Sequence, residues 1–217
     1  SSLAGQPEPP PDRSAWCNKV GYWRDHYDVV TQHDHNEKDL YSFVRILSGL
    51  IPSNAIIVTD CGGNVVVMNQ AFHTKQGQTF FSNNGNSPMG FSFAAAIGAW
   101  LADPTRPVIC VIGDGGFNLN IQELQTLVLC GAKVKTFIFN NHIYGITKAF
   151  QQRHYGERYE ASTDPHYAPP NFLKIAKAYG IISYTIHTAE AAEEIVNPDY
   201  FKESIRNVLG VDDAVIC

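Results

Sequence analysis

Two short clusters in this sequence combine residue types that could do chemistry. The first is Gly113-Asp114-Gly115-Gly116, which follows directly on the apolar run 108–112 and leads through Phe117-Asn118 into a helical pattern. Glycines let a backbone approach an anion closely, and the free amides that open a helix point at it with the favourable end of the dipole. A diphosphate is the natural guest, and Asp114 is well sited to hold the divalent cation that neutralises it. The second cluster, Asn140-Asn141-His142-Ile143-Tyr144-Gly145, ends the next apolar run, 134–139. Taken singly, each has a plain structural reading. Glycine-rich strand-to-helix turns are common, and an Asn-Asn pair is usually a turn because asparagine bonds its own backbone readily. At the ends of neighbouring parallel strands, the two would face one ion. Magnesium takes oxygen ligands octahedrally and combines one or two protein groups with phosphate oxygens and water. Asp114, Asn141 and one main-chain carbonyl of the Asn-Asn loop would meet that need.

The elements that must carry these clusters alternate between strand and helix periods from about Asn36 onward. Asn36 with Asp39 can cap a helix whose apolar face is Leu40, Phe43, Val44 and Leu47. Short apolar, β-branched runs at 55–59, 108–112, 134–139, 181–186 and 214–216 predict strands, and helical patterns lie at 93–101, 121–129, 172–179 and 189–196. Such alternation predicts an α/β fold, a three-layer, doubly wound parallel sheet with helices on both faces, whose ligands sit at the carboxyl ends of the strands. Residues 1–35 read as a lead-in to the domain at 36–217. Within this lead-in, Pro7, Pro9, Pro10 and Pro11 favour an extended linker from Ser1 to about Arg13, so the chain is expected to be the C-terminal piece of a larger protein, with a plain tail as the alternative.

Composition narrows the function classes. The net charge of −5, with acids and bases interleaved, gives no basic footprint for nucleic acid and no polybasic membrane patch. No apolar run approaches the ~20 residues of a membrane span, and no signal-peptide layout opens the chain. A cytoplasmic location is expected. The five cysteines, Cys17, Cys61, Cys110, Cys130 and Cys217, are odd in number and lack C-x-x-C spacing, so neither a disulfide framework nor a zinc site is expected. His33-Asp34-His35 reads as solvated loop rather than metal site. His142, His154 and His166 fall near the two clusters, but nothing in the sequence assigns them a proton.

The stretch from Gly113 to Asn141 resembles the thiamin diphosphate (ThDP) binding motif, which begins with Gly-Asp-Gly and ends with Asn-Asn. From about residue 16 to the end, the chain is similar to the C-terminal domain of acetolactate synthases and related 2-oxo-acid decarboxylases and carboligases. The resemblance implies that Asp114, Asn141 and the main-chain oxygen of Ile143 bind Mg2+, and that Gly113, Gly115 and Gly116 bind the diphosphate. It implies a second diphosphate turn in Asp60-Cys61-Gly62-Gly63-Asn64, with Gly62, Gly63 and Asn64 as candidates. The segment Gly85-Asn86-Ser87-Pro88-Met89-Gly90 looks like the family's aminopyrimidine loop. There Met89 would be the bulky residue that bends the cofactor, and the main chain of Ser87 and Met89 would hold its pyrimidine. Without the family match, Met89 would read as a gap-filling core residue and Gly62-Gly63 as turn chemistry. The segment after Gly145 looks like the start of the substrate-pocket helix, with Ile146, Thr147 and Phe150 in the pocket. Two positions depart from the family pattern. Phe150 stands where members that prefer 2-oxobutyrate carry tryptophan, and Ser87 stands where glycine is usual, beside Asn83 and Asn84, which would make the rim more polar. The family counterpart of Glu123 looks structural.

The implied activity is that of a lyase or transferase that decarboxylates a 2-oxo acid and either releases an aldehyde or ligates the remaining unit to a second carbonyl compound. The catalytic glutamate that activates the cofactor in this family belongs to a pyrimidine-binding domain outside these residues, on the same longer chain or a partner subunit. The chain alone is therefore expected to be inactive, and a homo-oligomer, dimer or tetramer, is expected. FAD in a middle domain is an open expectation. Three other readings compete. One is the diphosphate-binding subunit of a two-chain decarboxylase. A Rossmann-type nucleotide domain would need glycine where Asn118 stands and a glycine turn after the first strand. A non-catalytic module that retains the fold is the third; no phosphate-loop G-x-x-x-x-G-K-[ST] occurs.

Overall fold

A computed structural model describes residues 11–32, 39–187 and 200–217. Expectations that rested on Pro7, Pro9, Pro10, His33-Asp34-His35, the Asn36 cap and the helix at 189–196 lie outside the described residues.

Among the described residues, six strands form one sheet: β1 (Ile56–Thr59), β2 (Thr79–Phe81), β3 (Val108–Gly113), β4 (Val134–Phe139), β5 (Ile182–Ser183) and β6 (Val215–Ile216). Their order across it is β2-β1-β3-β4-β6-β5, and every pairing is parallel. Because Ile56 pairs with Val108 and Val108 with Val134, the period-two alternation of the strands stays in step across the centre of the sheet. Ile56, Val58, Val108, Cys110, Ile112 and Val134 therefore face one side, and Ile57, Ile109, Val111 and Phe137 the other.

Each face is covered by helices, which gives the three layers that the sequence predicts. On the first side lie α5 (Phe91–Ala102), α7 (Glu123–Cys130) and α9 (Phe172–Ala178), through Phe93, Ala96, Ile97, Leu124, Leu127, Phe172 and Ala176. On the second lie α3 (Leu40–Leu50), α4 (Gly63–Ala71) and α10 (Tyr200–Gly210), through Phe43, Val44, Leu47, Val67, Met68, Ala71, Ile205 and Val208. The helix α3 starts where Asp39 accepts from the amide of Ser42, a local cap that its sequence announces.

The chain leaves β1 toward β2 on one side and reaches β3 on the other, so the topological switch point lies between the carboxyl ends of β1 and β3. The short helix α6 (Asp114–Leu119) rises from the end of β3, and α8 (Gly145–His154) follows the loop at the end of β4. Ahead of α3, α1 (Ser14–His26) and α2 (Val29–Gln32) are helical, and α1 buries none of its residues. The phenyl ring of Phe117 fixes α6 from within: it is fully buried, edge-on to Phe93 at 5.0 Å and to Phe172 at 5.2 Å.

Candidate functional site

Four loops leave the carboxyl ends of β1, β2, β3 and β4, and three of them converge on a pair of glycines. A methyl group on Gly116 would stand 2.3 Å from Oδ2 of Asp60, and one on Gly115 would stand 2.2 Å from Cε1 of Tyr144 and 3.1 Å from the terminal methyl of Met89. Only glycine permits backbone this close to its neighbours. Gly115 and Gly116 are thus touched by the loop after β1, the loop before α5 and the loop after β4.

Asp60 organises two of those loops. It is buried, and its two carboxylate oxygens accept from the amides of Gly90 and Ser92, each at 3.0 Å. It thereby caps α5 from 30 residues away in sequence. Gly90, at φ +87°, is also gripped through its carbonyl, which accepts from Nδ2 of Asn120 at 2.9 Å. Burial raises the pKa of Asp60, and the amides of Ser92 and Gly90 oppose that shift.

Asp114 stands at the end of β3 with 3 % of its surface exposed. Its Oδ1 accepts from the amide of Gly115 at 2.9 Å, whereas its Oδ2 is buried without a hydrogen-bond partner. Burial pushes its pKa up, against the amides of Gly115 and His142 and the hydroxyl of Tyr167. A buried carboxylate oxygen with no partner is destabilising unless a cation or a donor reaches it.

The Asn-Asn loop lies beside it, since Gly113 pairs with Phe139 in the sheet. Asn140 accepts from the amide of His142 at 3.3 Å and Asn141 from that of Ile143 at 3.2 Å, so both asparagines bond their own loop as turn residues do. An amide oxygen has two lone pairs, so Asn141 can keep the Ile143 amide and still take a cation. His142 adopts φ +59°, a left-handed conformation that a non-glycine residue enters at some cost. Among the described residues, no three His, Cys, Asp or Glu side chains gather in a metal-binding group. A cation at Asp114 would therefore draw on amide and main-chain oxygens and on the oxygens of its own ligand.

A family model described as "Thiamine pyrophosphate enzyme, C-terminal TPP binding domain" matches residues 60–204, from the Asp60 turn through all four loops. The chain belongs to that family. It is 34% identical over 189 residues to the probable acetolactate synthase large subunit of Methanococcus aeolicus, a match covering 87% of this chain and 29% of that protein. It is 35% identical over 173 residues to the probable acetolactate synthase large subunit of Methanocaldococcus jannaschii, covering 79% of this chain and 27% of the other. The acetolactate synthase large subunit of Parasynechococcus marenigrum is 35% identical over 172 residues, covering 79% and 27%. The chain thus spans under a third of the length of these curated relatives.

Within this TPP-binding domain the remaining candidate residues take the following places. Gly62, at φ +86°, and Gly63 open α4, and nothing lies within 4 Å of a methyl group built on either. The side chain of Asn64 is buried and engaged internally: it accepts from Oγ1 of Thr59 at 3.1 Å and donates to the carbonyl of Cys61 at 2.6 Å. Ser87 adopts φ +46°, a conformation natural to the glycine expected there, and its hydroxyl donates to the carbonyl of Asn84 at 3.2 Å. Met89 is partly exposed above Gly115. On α8, Ile146 and Phe150 are largely exposed, as is Thr147. The structure brings Met89 to the glycine pair, and it sets Asp114 beside the Asn-Asn loop.

The sequence reading passed over Asp60, Asn120, Tyr144 and Tyr167. Asp60 carried a usable signal, a carboxylate at the end of a strand beside two glycines, as at Asp114. The other three offered none, because their roles arise from contacts between loops remote in sequence.

Proposed function

We propose that this chain is the diphosphate- and Mg2+-binding part of an acetolactate synthase-like enzyme that decarboxylates a 2-oxo acid and passes the product to a proton or a second carbonyl compound. The observation that carries the reading is the partnerless Oδ2 of Asp114, buried at the foot of a glycine pair that tolerates no side chain. A dication is the guest that this atom lacks, and a diphosphate is the guest that closely approachable glycine amides favour. The residues present fit a magnesium-bridged diphosphate. In this reading Asp114, Asn141 and the main-chain oxygen of Ile143 hold Mg2+. Gly113, Gly115 and Gly116, with Gly62, Gly63 and Asn64 across the switch point, hold the diphosphate.

When bound, ThDP supplies the electron sink that decarboxylation of a 2-oxo acid requires. The protein's own work is to position and to exclude water. Asp60 and Asn120 pin Gly90 from both sides, which fixes Met89 above Gly115, and Ser87 and Met89 would hold the aminopyrimidine from that pinned loop. Ile146, Thr147 and Phe150 would line the substrate pocket. The smaller phenyl ring of Phe150, in place of tryptophan, leaves the side-chain preference for the 2-oxo acid open. A pyrimidine-binding domain that contributes the activating glutamate, on the same longer chain or a partner subunit, would cover these exposed apolar groups. The lengths of the relatives support such a domain. FAD in a middle domain, dimeric or tetrameric assembly and a cytoplasmic location belong to the same reading; among the described residues no helix is long and apolar enough to cross a membrane.

The test is calorimetric titration of the full-length protein with ThDP, with and without Mg2+, followed by an assay of acetolactate formation from pyruvate. Mg2+-dependent binding that Asp114→Ala abolishes, together with turnover, is the expected result. ThDP binding indifferent to Mg2+ and to Asp114→Ala would overturn the metal site, and intact binding without turnover would favour the non-catalytic module.

A further inference from the structure

Among the described residues, Oδ2 of Asp114 and the hydroxyl of Tyr167 are buried side-chain atoms that lack partners. Tyr167 is 8 % exposed and lies well past the Asn-Asn loop in sequence, yet its ring packs against Tyr144 at 4.1 Å between centroids. Tyr144 in turn is the residue that covers Gly115, next to Asp114. The segment that carries Tyr167 is held firmly. The carbonyl of Ser162 accepts from the amide of Tyr144 at 2.9 Å, the buried hydroxyl of Ser162 donates to Gln151 at 2.6 Å, and Gln151 donates to the carbonyl of Glu160 at 2.9 Å. A phenolic hydroxyl so fixed, buried without a partner, stands behind the ring that covers Gly115, next to the equally partnerless Oδ2 of Asp114.

We propose that Tyr167 is a positioning residue for Asp114: when the divalent cation is bound, its hydroxyl donates to the carboxylate and sets the orientation in which Oδ2 meets the ion. A carboxylate oxygen can accept a hydrogen bond on one lone pair and bind a metal with the other. Hydrogen-bond partners behind a metal ligand fix its orientation, and losing one weakens metal binding by about ten- to a hundredfold. The inference rests on the proposed role of Asp114 as a metal ligand.

The test uses Tyr167→Phe in the full-length protein, which keeps the ring on Tyr144 and removes only the hydroxyl. Three quantities are read: the Mg2+ concentration for half-maximal ThDP binding, the ThDP affinity at saturating Mg2+, and the Tm of the protein free of both. The expected outcome is a Mg2+ requirement raised about tenfold or more, ThDP affinity restored at saturating Mg2+, and a Tm that is unchanged or higher because an unpaired buried hydroxyl has gone. An unchanged Mg2+ requirement would sink the inference. So would a loss of ThDP affinity that persists at saturating Mg2+, which would mean that the hydroxyl touches the cofactor instead, or a fall in Tm of the free protein that accounts for the whole effect. Asp114→Asn separates the two levels. If it abolishes the Mg2+ dependence while Tyr167→Phe changes nothing, only the role of Tyr167 fails; if it leaves the dependence intact, the metal site itself fails.

Discussion

Gly116 and Gly63 are both proposed to meet the diphosphate, yet they should respond in opposite ways to one added methyl group. At Gly116 the methyl would sit 2.3 Å from a carboxylate oxygen that two backbone amides already hold in place. Relief would have to come from backbone movement, so Gly116→Ala should destabilise the protein by about 1–3 kcal/mol and displace Met89. Gly63, the first residue of α4, has open space around it. Gly63→Ala should leave stability unchanged or raise it by up to about 1 kcal/mol, while still lowering ThDP affinity if that space is where the diphosphate lies. Urea unfolding and calorimetry of both variants check the pair; equal affinity in Gly63→Ala and wild type would remove Gly63 from the site. The contrast marks what a sequence can express. Asp114, Asn141 and the glycines could be named as candidates because the chemistry of a phosphate turn restricts residue type at fixed spacing. Asp60, Tyr144 and Tyr167 were not so named, because each meets its neighbours in this region through loops that the fold alone brings together.

Helices and strands were legible where their own side chains decide them and obscure where a distant group does. The strands at the centre, β3 and β4, form close to where their apolar runs place them, whereas the edge strand β2 has three residues, too few for a period to show, and β5 keeps only Ile182–Ser183 of the run at 181–186. α5 begins earlier than its pattern, at Phe91, because Asp60 caps it across the sheet edge. The connection ahead of α3 is another such case. Asp28, between α1 and α2, receives both terminal nitrogens of Arg45 from α3 at 2.8 Å, while Nε of Arg45 donates to the carbonyl of Ala71 at the end of α4. Hydrogen bonding from Arg45, ahead of the opposing effect of burial, holds Asp28 below its ordinary pKa of 3.8. A carboxylate whose pKa is lower folded than unfolded stabilises the fold above the unfolded value and loses that contribution as the pH falls through the folded one. Asp28→Asn should therefore cost about 1.5–3 kcal/mol at neutral pH, and its difference from wild type should shrink as the pH drops below about 4. Unfolding curves between pH 2 and pH 7, ~six points, would show it; a difference independent of pH would contradict the ion pair.

The order β2-β1-β3-β4-β6-β5 gathers the candidate loops at one edge of the sheet, with the Asp60 and Asp114 turns flanking the switch point and the Asn-Asn loop one strand further on. The fold class was legible because parallel strands buried on both faces leave long apolar runs and need helical crossovers. The order of the strands was not, since each apolar run would pair with several others equally well. Membership of the TPP-binding family accounts for this frame, and the proposed cation site accounts for Oδ2 of Asp114, which the frame leaves buried without a partner. Crystals of the full-length protein grown with ThDP and Mn2+ in place of Mg2+ would locate the ion by its anomalous scattering. The expected result is a single manganese peak about 2 Å from both Oδ2 of Asp114 and Oδ1 of Asn141. Bound ThDP with manganese elsewhere, and Oδ2 of Asp114 still unpaired, would contradict it.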